Sequence, residues 1–121
     1  MTLLPALATY LQGLGITGPF PLGEILDGEQ NTCTLLQIVG THATDPTLTF
    51  LAPTVQIFFR RTTQDAAHDQ AWIVYRALNG TRTAVGRTQC PSVPIPLGRD
   101  GRNLWRYTLD VQVTKPYSAA I

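Results

Sequence analysis

TVQIFFRRTTQDAAHDQAWIVYRALNG, residues 54–80, is the stretch that decides the fold. Val55, Ile57 and Phe59 alternate with Thr54, Gln56 and Phe58, so one face of a strand is fully apolar and the other is mixed. Two arginines end that pattern. Thr62 or Thr63 is placed to accept from the orphan amides of a following helix, Asp65 puts a carboxylate in its first turn, and Gly80 supplies a left-handed stop. Ala67, Ala71, Val74 and Leu78 recur at helical spacing as a narrow apolar stripe suited to lying on a sheet. Strand, turn and helix are therefore expected to pack as one unit.

Working toward the N-terminus, residues 40–53 (GTHATDPTLTFLAP) show no periodicity and are expected to form a long mobile loop, with Phe50 and Leu51 as anchors for a neighbour. His42 and Asp45 lie in it. With no third ligand or nucleophile at a workable spacing, they read as solvated loop residues rather than as a metal or acid–base site. Residues 32–39 (TCTLLQIV) read as a strand, and residues 15–28, ending in the turn signal Asp27-Gly28, as a loop running into a short edge strand that pairs with it as a hairpin. Cys33, with no histidine or second cysteine nearby, reads as a small buried hydrophobe. The opening MTLLPALATYLQG predicts an amphipathic helix with Leu4, Leu7, Ala8 and Leu11 on one face, Thr2 as cap and Gly13 as stop. Pro5 fits the first turn, where there is no intrahelical amide bond to lose.

Toward the C-terminus, residues 81–89 (TRTAVGRTQ) predict a strand interrupted at Gly86, and CPSVPIPLG, residues 90–98, an extended segment at the edge or surface because its prolines forbid helix and inner strand. Arg99-Asp100-Gly101-Arg102 is a turn. Trp105, Tyr107, Leu109, Val111 and Val113 then alternate with polar residues in the cleanest strand of the chain, expected to form a long hairpin with residues 81–89. The whole reads as an α+β fold, one mixed and mostly antiparallel sheet packed by two helices, in a single domain over residues 1–121.

Composition narrows the function classes. The 121 residues are 44% hydrophobic and 14% charged, enough to bury a real core. A formal charge of +1 gives no global reason for nucleic acid or an acidic membrane as partner. Two cysteines make no disulfide framework, and the absence of a basic segment leading into an apolar one argues against a signal peptide, so a reducing cytoplasm is the expected setting. No apolar run approaches the roughly twenty residues of a membrane span. There is no phosphate loop, nucleophile elbow, zinc spacing or dinucleotide fingerprint, so neither an enzyme nor a bound cofactor is proposed by the residues. His68 and Asp69 read as a solvated helix face, being adjacent on a helix and expected to point apart.

Two features look like assembly surfaces. Trp72 lies opposite the apolar stripe of the central helix, beside Asp65, Asp69 and Arg76, and tryptophan on a polar face suits an interface. Up to Phe59 the chain carries −4 and from Arg60 onward +5. Glu24 and Glu29 on the early segment, with Asp45, and Arg99 and Arg102 on the late one are therefore candidate partners in contacts between unlike edges.

Element order, the run PTVQIFFRR leading into a helix that ends ALNG, and the later PIPLGRDGR before an amphipathic strand resemble the small minor-capsid and tail-terminator proteins of long-tailed bacteriophages. That resemblance implies a structural virion protein and no catalysis. It implies a homo-oligomeric ring, a hexamer in such proteins, that caps the tail tube, ends its polymerisation and joins the tail to the head connector, with phage DNA passing through without sequence-specific binding. The partners implied are the tail tube protein and the head–tail connector protein, the location the tail or neck of the virion, and the place of assembly the host cytoplasm. A small-ligand-binding or regulatory α+β domain is the alternative. Such a protein would show convergent polar groups in a pocket, and a duplex binder a net basic charge.

Overall fold

The computed structural model describes residues 3–22, 32–43, 50–83, 85–101 and 103–116. In chain order these form α1 (Leu3–Gly13), β1 (Cys33–Ala43), β2 (Phe50–Arg61), α2 (Gln64–Leu78), β3 (Thr81–Thr83), β4 (Gly86–Gln89), β5 (Ile95–Arg99) and β6 (Trp105–Pro116). The fold is α+β: a six-stranded sheet, order β1-β2-β6-β4-β3, carries both helices, and β5 pairs with β6 beyond the end of β4. Every strand pairing is antiparallel.

β2 and β6 form the spine. Val55 faces Val111, Ile57 faces Leu109 and Phe59 faces Tyr107, which puts the apolar halves of both strands on one side. Against that side lies α2, with Ala67, Ala71, Val74 and Leu78 buried as their spacing predicts. Thr63 caps it, its Oγ1 accepting from the Ala66 amide at 3.2 Å, with Asp65 in the first turn. Gly80 leaves it at φ 71°, a conformation that side chains other than glycine adopt at a cost. α1 buries Leu3, Leu7 and Leu11, one row spaced by four, with Leu4 and Ala8 only half-buried beside it. The buried face is thus turned by one residue from the Leu4-centred face that the sequence predicts.

Three expectations are corrected. Residues 40–53 are not one long loop: β1 continues through Ala43 and β2 starts at Phe50, so His42 lies in a ladder opposite Ala52. Backbone pairing sustains these strands where side-chain alternation does not signal them. Pro53 sits between the Leu51–Lys115 and Thr54–Gln112 pairs of β2 with β6, a place that tolerates a missing amide. As far as Leu22, the described segment before β1 runs parallel to it and not antiparallel as a hairpin would. Leu22 bridges Leu36 in parallel, and the amides of Thr34 and Leu36 donate to the carbonyls of Pro19 and Pro21 at 2.9 and 3.0 Å; the Asp27-Gly28 turn lies outside the described residues. Finally, residues 81–89 do more than pause at Gly86. They turn there and form their own hairpin, Thr81 opposite Thr88, with Gly86 at φ 128°. β6 accordingly pairs with β4 over residues 112–114 and with β5 over residues 105–108.

Candidate functional site

Arg60 and Arg61 end β2 on opposite faces of the sheet. Arg61 follows Val55, Ile57 and Phe59 in parity and so points into the helix-covered side, where it is 3% exposed. Its Nη2 donates to the Thr17 carbonyl at 2.9 Å, to Thr34 Oγ1 at 2.7 Å and to Gln70 Oε1 at 2.6 Å. Nη1 donates to the carbonyls of Cys33 and Arg60, and Nε to Gln70 Oε1 at 3.2 Å. One guanidinium therefore ties the segment after α1, the start of β1 and the side of α2 to the end of β2. No carboxylate of the described residues pairs with it, and burial lowers its pKa from the usual arginine value, an effect that neighbouring Cys33 opposes. All these acceptors are neutral oxygens, so the group is engaged and offers nothing to a ligand. The sequence signal was the parity of position 61 with the apolar face, which a reading of the two arginines as a strand terminator passes over.

Arg60 points to the other face, opposite Cys33 on one side and Arg106 on the other. Its Nη2 lies 2.8 Å from Asp100 Oδ2, and both side chains are largely covered. Asp100 Oδ1 also accepts from the Leu104 amide at 3.1 Å, so the turn after β5 is anchored back onto β2. Along this open face Leu35, Phe58, Thr108 and Ile95 stand side by side across four strands, followed by Gln37 bonded to Gln56 at 2.7 Å. Arg106 Nε and Thr108 Oγ1 are buried there without a hydrogen-bond partner among the described residues.

Of the candidate contact residues, Trp72 is half-buried. Its ring packs between His68 at 6.0 Å and Tyr75 at 5.2 Å, and His68 in turn meets the edge of Tyr107 at 5.8 Å. The tryptophan thus belongs to an aromatic flank of α2 rather than to an isolated polar face. Contrary to the sequence expectation, His68 and Asp69 do touch, Nδ1 to Oδ1 at 3.2 Å, in an exposed pair with no nucleophile beside it in the described contacts. Arg99 is exposed, its guanidinium 5.3 Å from the Trp105 ring centroid and its Nη1 3.0 Å from Asn103 Oδ1. Glu24, Glu29, Asp45 and Arg102 lie outside the described residues. Phe50 and Leu51 stand in β2 as backbone, with side chains outside the described set.

The chemistry of catalysis is not assembled by these contacts. Among the described residues no three His, Cys, Asp or Glu side chains cluster to hold a metal ion. Cys33 and Cys90 are free and buried, and burial pushes the Cys90 thiol up to about 11, away from the thiolate that reacts. No described helix is long and apolar enough to cross a membrane. What remains is surface. The sheet ends in β1 on one side and in β3 and β5 on the other, each hydrogen-bonded to a single strand of the sheet. At those ends Leu22, Ile38, Val39, Val93, Ile95 and Leu97 are exposed.

No curated protein matches the chain. Residues 10–117 match the family described as bacteriophage tail terminator protein, a span that takes in every strand of the sheet and all of α2. The chain belongs to the bacteriophage tail terminator protein family, and its role is that of a structural protein of the phage tail.

Proposed function

We propose that this chain caps the finished tail tube as a ring of identical subunits, hexameric as the family resemblance implies, stops further addition of tube subunits and presents the surface that joins the head connector. The single observation that carries the ring is that the sheet ends in two unlike edges, β1 at one side and β3 with β5 at the other. Unlike edges on one chain favour heterologous contacts, which close into rings when the rotation allows. The subunit is a folded monomer before it reaches the tail, since its core is closed within one chain.

Charge supports the same arrangement. All four acids up to Phe59 precede every base of the chain, and the +5 of the remainder includes Arg99 and Arg102. Pairing of Glu24 and Glu29 on one subunit with these arginines on the next makes assembly weaken with salt, as the Debye length falls to about 3 Å near molar ionic strength. Trp72, with Asp45, Phe50 and Leu51, supplies further contacts to a neighbour. The DNA crosses the ring without base contacts.

The test is electron microscopy of tails from a phage lacking this protein, complemented by variants. Loss of the chain should give tubes of uncontrolled length and no joined heads, and Trp72→Ala should reproduce part of that defect while remaining folded. Reversal of Glu24 and Glu29 to lysine should impair the ring, with Arg99 and Arg102 to glutamate restoring it in part. Tubes of normal length joined to heads without the chain would end the proposal.

A further inference from the structure

Both lateral edges of the sheet expose apolar side chains, and both are built so that another strand cannot simply add to them. At the first edge, the described residues up to Leu22 run alongside β1 as far as Leu36. Past that point Ile38 and Val39 are exposed, Val39 at 52%, and the ladder slips between Ile38 and Gly40. A bulge of this kind twists an edge away from further pairing. At the opposite edge Val93, Ile95 and Leu97 are exposed at 49%, 48% and 40%, at alternate positions along an extended segment. Between them stand Pro94 and Pro96, which have no amide to donate.

Edges of this kind refuse backbone ladders and still leave apolar surface that water disfavours. Such surface marks a contact made by side chains. The two patches lie at opposite ends of the strand order, so no single chain can bring its own together. The sequence next to the two patches also differs in sign. Arg99 closes β5, and the chain between Leu22 and Thr32 contains Glu24, Asp27 and Glu29 with no base.

We propose that the occupant of each edge is a second copy of this chain: Val93, Ile95 and Leu97 of one subunit pack against Leu22, Ile38 and Val39 of the next, head to tail, through side chains and without a continuous sheet. This rests on the ring reading given above and names the surfaces that form it. Repetition of the contact uses every edge once. Closure leaves none over.

The experiment is disulfide trapping on tail tubes assembled without the native protein. The full chain carrying both Val39→Cys and Ile95→Cys is bound to the tubes, oxidised and run on a non-reducing gel beside each single variant and the unsubstituted chain, whose Cys33 and Cys90 are buried. Both substituted positions are exposed, so the fold is not disturbed. The expected result is a ladder of multimers from the double variant alone. Single variants that trap dimers would show like edges meeting, and overturn the inference. Tube-bound double variant without a ladder would overturn it too, leaving the ring intact with other surfaces. Failure of even the unsubstituted chain to bind tubes is the distinct outcome that removes the ring reading, and this contact with it.

Discussion

Arg60 and Arg61 are consecutive, carry the same side chain and end the same strand, yet the sheet gives them opposite physics. Arg60, on the open face, is neutralised by a carboxylate from the turn after β5. Arg61, on the covered face, keeps its charge among carbonyls, a hydroxyl and an amide oxygen. A buried guanidinium with neutral partners is costly to place and costlier to remove, because its acceptors are then left in a dry interior without donors. The Arg60–Asp100 pair, though largely covered, leaves its carboxylate still bonded to the Leu104 amide when the arginine is lost. The comparison shows that period-two geometry, more than residue type, decides whether a charge holds the fold together or trims its edge.

The largest effect is expected from Arg61→Met. It strips donors from Thr17, Cys33, Thr34 and Gln70 together, and the expected loss is about 3–5 kcal/mol, read as a fall in urea midpoint at unchanged slope. Arg61→Lys should recover only part of it, since an ammonium has three donors where the guanidinium has five. Next in size, Arg60→Met is expected to cost about 1–2 kcal/mol, because Asp100 keeps its bond to the Leu104 amide. Equal losses at 60 and 61 would mean that burial does not separate the two. The smallest effect has the opposite sign: Thr108→Val removes a buried hydroxyl that has no partner and should stabilise by up to about 1 kcal/mol. A loss instead would show that Thr108 Oγ1 is satisfied in solution, and the open face would then be wetter than its packing implies.

Periodicity is what makes most of the fold legible in the residues. The stripe of α2, the apolar parity of residues 55–59 and the alternation of β6 all place buried residues where the structure has them. The extension of β1 through Ala43 was not legible, because Gly40, Thr41 and His42 hold their place through a backbone ladder with β2 that leaves no mark on side-chain pattern. Residues 81–89 misled for a related reason. Gly86 marks a break, and only the partner strand decides whether a break is a bulge or a reversal. The surfaces proposed for assembly enter the sequence as charge and as Trp72. The aliphatic edge of β5 was hidden behind its prolines, which announce an edge but say nothing of the exposed residues between them.

The reach of Arg61 has a consequence for motion. Because one side chain closes on the segment after α1, on β1 and on α2, none of these can open alone without breaking bonds in the others. Thr34, whose amide donates to Pro19 and whose hydroxyl accepts from Arg61, lies at the centre of this knot. Its hydrogen exchange should therefore require an opening nearly as large as global unfolding, while amides of the short hairpin β3–β4 exchange through local fraying. In Arg61→Met the exchange rate of Thr34 should rise toward that of the hairpin, turning one cooperative unit into two.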